Sequence, residues 1–218
     1  MSLHIRKLIS LGENQQLDFK FGITDSKKLA KTLVAFSNTD GGRLLIGVKD
    51  NGVIAGVRTE EEFYMVQSAA ELYSKPEIYF ETNTYSVDGK MVMEIIIPPS
   101  KQVPHFAVDE NGKWLAYIRV KDQNILANSV MLKVWNKRNF EVGSKIKYSD
   151  KVKALLFYLN ENKTITLSKF CRIAFISRKE AEKILVDLIS TQVIEIVFTD
   201  KDTYYQLVDV NKIEKLSF

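Results

Sequence analysis

Phe36-Ser37-Asn38-Thr39-Asp40-Gly41-Gly42-Arg43-Leu44-Leu45-Ile46-Gly47-Val48 is the stretch that decides the fold of this chain. Its first residues end a helical pattern over 25–38, in which Leu29, Leu33 and Phe36 make an apolar stripe opposite Lys27, Lys28 and Lys31. Thr24 or Asp25 can cap that helix by accepting from its free amides. Gly41-Gly42 stops it, and Arg43 to Val48 then reads as a short strand. Asp50-Asn51-Gly52 is a hairpin turn, because Asn-Gly readily supplies positive φ, and Val53 to Val57 is expected to return as the partner strand.

Working outward, residues 3–11 suit a short helix closed by Gly12, and Leu17-Asp18-Phe19-Lys20-Phe21 alternates strictly. Leu17, Phe19 and Phe21 then share one face of a half-buried strand, with Asp18 and Lys20 on the other. Downstream, the pattern predicts a helix at 59–74 and strands at 77–87, 91–97, 103–108 and 114–120. A last helix follows at 127–139. Helices, strands and several hairpins in this order predict an α+β domain over 1–140, a mixed sheet with flanking helices.

Residues 141–218 predict a second, smaller domain. The order is a helix from Ser149 to Leu159, a short helix at 166–173, a longer helix through Ile189, and strands at 193–198 and 204–208. That is the order of a winged helix-turn-helix. Ser177-Arg178-Lys179-Glu180 is a capping box opening the longer helix. Its solvent face is expected to carry Arg178, Lys179, Glu182 and Lys183. Between the domains, Lys137, Arg138, Lys145, Lys147, Lys151 and Lys153 read as a solvated basic linker.

Composition narrows the classes. The chain has 218 residues, a net charge of +4 and 45% hydrophobic residues, enough to bury a core and basic enough to permit a polyanion as partner. A single cysteine, Cys171, rules out an intrachain disulfide or a cysteine zinc cluster. It reads as a small buried residue, and the two histidines, His4 and His105, as incidental. Trp114 and Trp135 are expected in the core or at a subunit contact. Neither a leader pattern nor an apolar run of membrane-spanning length is visible, so the expected location is cytoplasmic, with no membrane partner.

Four segments carry a family resemblance: Gly12-Glu13 through Leu17-Asp18-Phe19-Lys20, Ala35 to Gly42, Leu45 to Gly52, and Tyr117-Ile118-Arg119-Val120. Together they resemble the Schlafen/AlbA-like domain family, over about residues 7–135. Relatives resembling bacterial transcriptional regulators often carry a winged helix behind this domain. The resemblance implies nucleic-acid binding and, as in some eukaryotic relatives, a metal-dependent RNA-cutting site of three acids. The matching positions are Glu13, Asp18 and Asp50, with a glutamate usual where this chain has Asp18.

The residues add their own readings. Oxygen ligands at Glu13, Asp18 and Asp50 would suit Mg²⁺ or Mn²⁺, with Lys20 as an electrostatic helper. Glu13 must then lie in the loop before the strand, since an odd offset from Asp18 on one strand would point the two apart. In the plainer reading, Asp18 and Lys20 are a solvated strand face and Asp50 is a turn residue. The P-loop pattern is missing, so ATP is not supported as a cofactor, and Gly41-Gly42 reads as a helix stop. Asn38 either ties that turn or touches a ligand. For nucleic acid, the candidates are Lys27, Lys28, Lys31, Arg119 beside Tyr117, and Arg178, Lys179 and Lys183. The leading expectation is a DNA-binding transcriptional regulator that needs no cofactor to bind and pairs as a homodimer, with nucleic acid as partner and DNA expected ahead of RNA. The alternatives are a metal-dependent nuclease and a protein-interaction module without catalysis.

Overall fold

The computed structural model describes residues 2–57, 61–140, 148–199 and 202–209, without the side chains of 2 and 138–140. Two units divide the chain between Ala127 and Asn128. The architecture is α+β, as the sequence predicts, with seven helices among the described residues.

The first unit contains α1 (Ser2–Leu11), β1 (Leu17–Lys20), α2 (Ser26–Ser37), β2 (Gly42–Ile46), α3 (Glu61–Glu71), β3 (Ser74–Lys75), β4 (Glu81–Val87), β5 (Lys90–Ile97), β6 (Phe106–Val108), β7 (Trp114–Leu115), β8 (Tyr117–Val120) and β9 (Gln123–Leu126). Its main sheet is mixed, in the order β1-β2-β5-β4, with β1 parallel to β2 and the other pairs antiparallel. Asp25 caps α2 by accepting from the amides of Lys27 and Lys28. Gly41 then takes φ +69 with its amide on the Phe36 carbonyl, and a Cβ on Gly42 would stand 2.4 Å from the Phe36 ring. The double glycine is therefore a helix stop with a close packing requirement.

Alternation along each strand gives this sheet two different faces. Leu17, Phe19, Leu45 and Val92 pack with Ile5 of α1 on one side. Leu44, Ile46, Met93 and Ile95 pack with Leu33, Phe36 and Val66 of α2 and α3 on the other. Burying a side chain such as Phe36 contributes about 1.5–3 kcal/mol.

Two strand expectations need correction. Residues 53–57 do not pair along the 43–48 strand beyond a single Val48–Ile54 bridge, because β5 takes that edge over its whole length. Phe21 lies beyond β1 and is exposed, with the Lys49 ammonium 5.6 Å from its ring centre.

The second unit contains α4 (Ser129–Phe140), α5 (Asp150–Asn162), β10 (Thr164–Ile165), α6 (Leu167–Ala174), α7 (Arg178–Ser190), β11 (Ile194–Phe198) and β12 (Thr203–Leu207). These strands form a three-stranded antiparallel sheet in the order β10-β12-β11. The helix expected to close the front domain, α4, belongs here instead. Its Val130 and Val134 are buried in one core with Leu155, Phe170, Leu185 and Tyr205. Ser177 caps α7 by accepting from the Glu180 amide, as the capping box requires. Of the expected basic linker, Lys145 and Lys147 lie outside the described residues. Lys137, Lys151 and Lys153 are held by Asp187, Glu180 and Asp150.

Candidate functional site

The loop from Gly12 to Gln16 brings two of the three predicted acids together. Glu13 sits in that loop, ahead of β1, and its Oε1 accepts from the Phe19 amide at 2.9 Å. This carries its carboxyl to Asp18, and burial together with the neighbouring Asp18 pushes the Glu13 pKa up, although the Phe19 N–H and Lys20 oppose the rise. Asp18 is itself buried, at 4% exposure. The solvated strand face is thus overturned, because the α2 side of β1 is covered.

What covers it is Arg119, only 2% exposed on β8. Its guanidinium donates to Asp18 Oδ1 at 3.1 Å, to Asn124 Oδ1 at 3.0 Å and to the carbonyls of Asn14 and Leu17 at 3.3 Å. Its flat face lies 5.0 Å from the Phe36 ring centre. Every part of the group is engaged inside the fold, so Arg119 is not a nucleic-acid contact, and the expected platform with buried Tyr117 is withdrawn. The Lys20 ammonium is 2.7 Å from Asp18 Oδ2, but its hydrogen bond goes to the Phe19 carbonyl, leaving Oδ2 without an aligned donor.

Asp50 does not join this group. It is exposed in the tight turn closed by the Gly52 amide on the Lys49 carbonyl at 2.7 Å. Among the described residues no three His, Cys, Asp or Glu side chains are grouped to hold a metal ion. Asp18 already carries two cationic partners. The acids present therefore do not fit a divalent metal site of three carboxylates.

The predicted basic residues divide by exposure. On α2, Lys28 is exposed, Lys27 and Lys31 are half-buried, and Lys27 points its ammonium at the Tyr73 ring, 5.7 Å from its centre. Lys28 and Lys20 share the wall of a cavity of about 220 Å³ with Asp25. On α7, Lys179 and Lys183 are exposed, whereas Glu182, expected on the solvent face, is buried at 6%. Glu182 accepts from Ser129, Lys133 and Arg178, which outweigh its burial and hold its pKa below the ordinary value. The cause of the misplacement is α4, which covers that face of α7.

Sequence reasoning missed a second buried charge group. Glu94 of β5 is 1% exposed, and its Oε1 accepts from Arg43 at 2.5 Å and pairs with His4 Nε2 at 3.1 Å. His105, read as incidental, is also structural. It is buried, its ring nitrogens meet the Pro76 carbonyl and the Ser100 hydroxyl, and burial pushes its pKa down. Asn38 ties the same place, donating to the His105 and Tyr117 carbonyls and accepting from the His105 amide at 2.7 Å. That resolves Asn38 as a tie within the fold. Trp135 is buried in the second unit, and Trp114 is 44% exposed.

The mixed sheet, the Glu13–Asp18 loop and the double-glycine turn together define a domain of the Schlafen/AlbA type. The Schlafen AlbA_2 family model matches residues 13–128, more than half of the 218-residue chain. The chain belongs to that family. Among solved structures, it is similar to the DIP2311 protein of Corynebacterium diphtheriae, at 17% identity and a TM-score of 0.44, over 76% of this chain. It spans 31% of the length of that protein. It is also similar to the N-terminal domain of a RecG-related protein from Nitrosomonas europaea, at 20% identity and a TM-score of 0.36, covering 59% of this chain and 94% of that domain. No curated protein matches the chain. No described helix is long and apolar enough to cross a membrane.

Proposed function

We propose that the chain is a nucleic-acid-binding protein of regulatory type that holds duplex DNA through its second unit, read as a winged helix. Family membership supports a nucleic-acid-related role. The observation that carries the reading is the charge pattern of α7. Both of its glutamates are drawn into ion pairs, Glu180 with Lys151 and Glu182 with Lys133 and Arg178. Lys179 and Lys183, one turn apart, are left exposed with no carboxylate partner among the described residues. Helices α5, α6 and α7 followed by the β11–β12 hairpin have the order in which the third helix enters a major groove. Lys28, exposed on α2 of the first unit, supplies a further phosphate contact. Binding as a pair of copies on two half-sites completes the reading.

The test is duplex binding by the full chain across a salt series, with single-stranded RNA as competitor. Lys179→Gln with Lys183→Gln should flatten the slope of log K against log salt by about 2, one phosphate contact for each lysine. An unchanged slope would remove α7 from the interface. The DNA should stay intact with Mn²⁺ present; cleavage lost in Asp18→Asn would instead assign Glu13 and Asp18 to chemistry.

A further inference from the structure

The turn between α6 and α7 carries a side chain that the fold does not use. Phe175 is 94% exposed, more than any other large apolar residue described. It also ends α6 in the left-handed region, φ +50 and ψ 47, with its amide on the Cys171 carbonyl. The Ile176 amide reaches the same carbonyl at 3.1 Å. Glycine, or sometimes asparagine, ordinarily closes a helix in this way, because a Cβ there crowds the backbone. A phenylalanine at this position accepts backbone strain and leaves its whole ring in water. Neither cost is recovered by packing among the described residues of the unit.

Its surroundings state what could recover them. Arg172 is exposed one turn back on α6, and Ser177, Arg178 and Lys179 open α7 just beyond. The acids near this end are withdrawn, Glu180 to Lys151 and Glu182 to Arg178, Lys133 and Ser129. The ring therefore stands in a cationic field. A second copy docked symmetrically on this turn would set arginines and lysines against their own equivalents, which opposes that occupant. A partner that is polyanionic and also offers small apolar groups suits both features. Duplex DNA does so in the major groove, where the thymine methyl lies among the base edges.

We infer that Phe175 is an apolar DNA contact, seating its ring on the methyl of a thymine in the groove that α7 enters. The inference rests on the DNA-binding reading above and adds a specificity determinant to it. Residues at the start of such a helix are the ones that reach base edges, and Phe175 precedes that start by three positions.

The experiment begins by selecting duplexes that the full chain retains from a random pool. Each thymine of a selected duplex is then replaced by deoxyuridine, which removes only the methyl. Wild type should lose roughly fivefold or more in affinity at one thymine. Phe175→Ala and Phe175→Gly should bind the parent duplex more weakly by a similar factor and ignore the same replacement. Phe175→Gly should unfold at the same temperature as wild type or higher, since glycine relieves the turn. Variants that keep wild-type affinity and sensitivity to the methyl would overturn the inference while leaving DNA binding intact. A lower unfolding temperature for Phe175→Gly, or a change in subunit number, would overturn it in favour of packing or self-association. If no duplex is retained at all, the DNA-binding reading fails first, and the contact with it.

Discussion

The two faces of the mixed sheet each bury one carboxylate, and they hold it differently. On the α2 side, Asp18 faces an arginine as deeply buried as itself. On the α1 side, Glu94 is sealed at 1% exposure, but Arg43 and His4 keep about two fifths of their side-chain surface in water. Arg119 binds β1, β8 and the Gly12–Gln16 loop into one piece and cannot be rehydrated without opening them. Arg43 can turn back to solvent. The first arrangement works as an internal cross-tie, the second as a charge cap at an edge. Identical charges at similar burial thus carry different costs, set by whether the partner has water to return to.

The sharpest way to break the comparison is Arg119→Met. It leaves Asp18 buried beside Lys20 alone and strips the loop carbonyls of their donor. The expected loss is about 3–5 kcal/mol in chemical denaturation, as for other buried pairs stripped of one partner. Adding Asp18→Asn should recover part of that loss, because the stranded charge is then gone. A loss below about 1 kcal/mol, the range of exposed pairs, would show that the pair behaves like a surface contact.

This asymmetry marks the limit of what the sequence can disclose. The elements around Gly41-Gly42 were legible because helix period, cap and double glycine all agree locally. The meeting of Glu13 and Asp18 was legible from parity, which required a loop position for Glu13. Arg119 was not, since a basic residue alternating with a tyrosine reads equally as a binding surface or as a buried anchor. Only the distant segment at 13–18 decides between them. Glu94 did leave a signal, a lone acid inside Met91-Val92-Met93-Glu94-Ile95-Ile96-Ile97, where a buried charge must find a partner. Its partners Arg43 and His4 lie 51 and 90 residues away and share no local pattern with it. The domain edge was missed for a similar reason. The apolar positions of α4 fit either core, and Glu182 looked solvent-facing until α4 was seen to cover it.

A pH series separates the two faces further. Burial alone would raise the Glu94 pKa, but Arg43 and His4 outweigh it, and the net value lies below the ordinary 4.5. The folded protein then holds its proton less tightly than the unfolded chain. Its contribution to stability is complete above pH 4.5 and is lost as pH falls through the lower folded value. Glu94→Gln should cost about 1.5–3 kcal/mol at neutral pH, the worth of hydrogen bonds to a charged group. The difference from wild type should shrink steadily in acid. A constant difference down to pH 3 would mean that Glu94 contributes by shape and not by charge.

The smallest effect should carry the opposite sign. Glu13 has its pKa raised, by burial first and then by Asp18, so the folded state keeps a proton that the unfolded chain releases near 4.5. Stability therefore falls as pH climbs from 4.5 through the raised value, since Glu13 then becomes charged in a buried place beside Asp18. Glu13→Gln removes that fall. Its carbonyl oxygen can still accept from the Phe19 amide, and its amide nitrogen can donate to the neighbouring Asp18 carboxyl. The substitution should thus stabilise the protein by about 0.5–1.5 kcal/mol at neutral pH, the net worth of a typical hydrogen bond, and by nothing in acid. A destabilised Glu13→Gln would mean that the charge of Glu13 balances Lys20 and Arg119. The α2-side group would then be a balanced cluster of two acids and two bases, and the contrast with Glu94 would narrow to the exposure of the arginines.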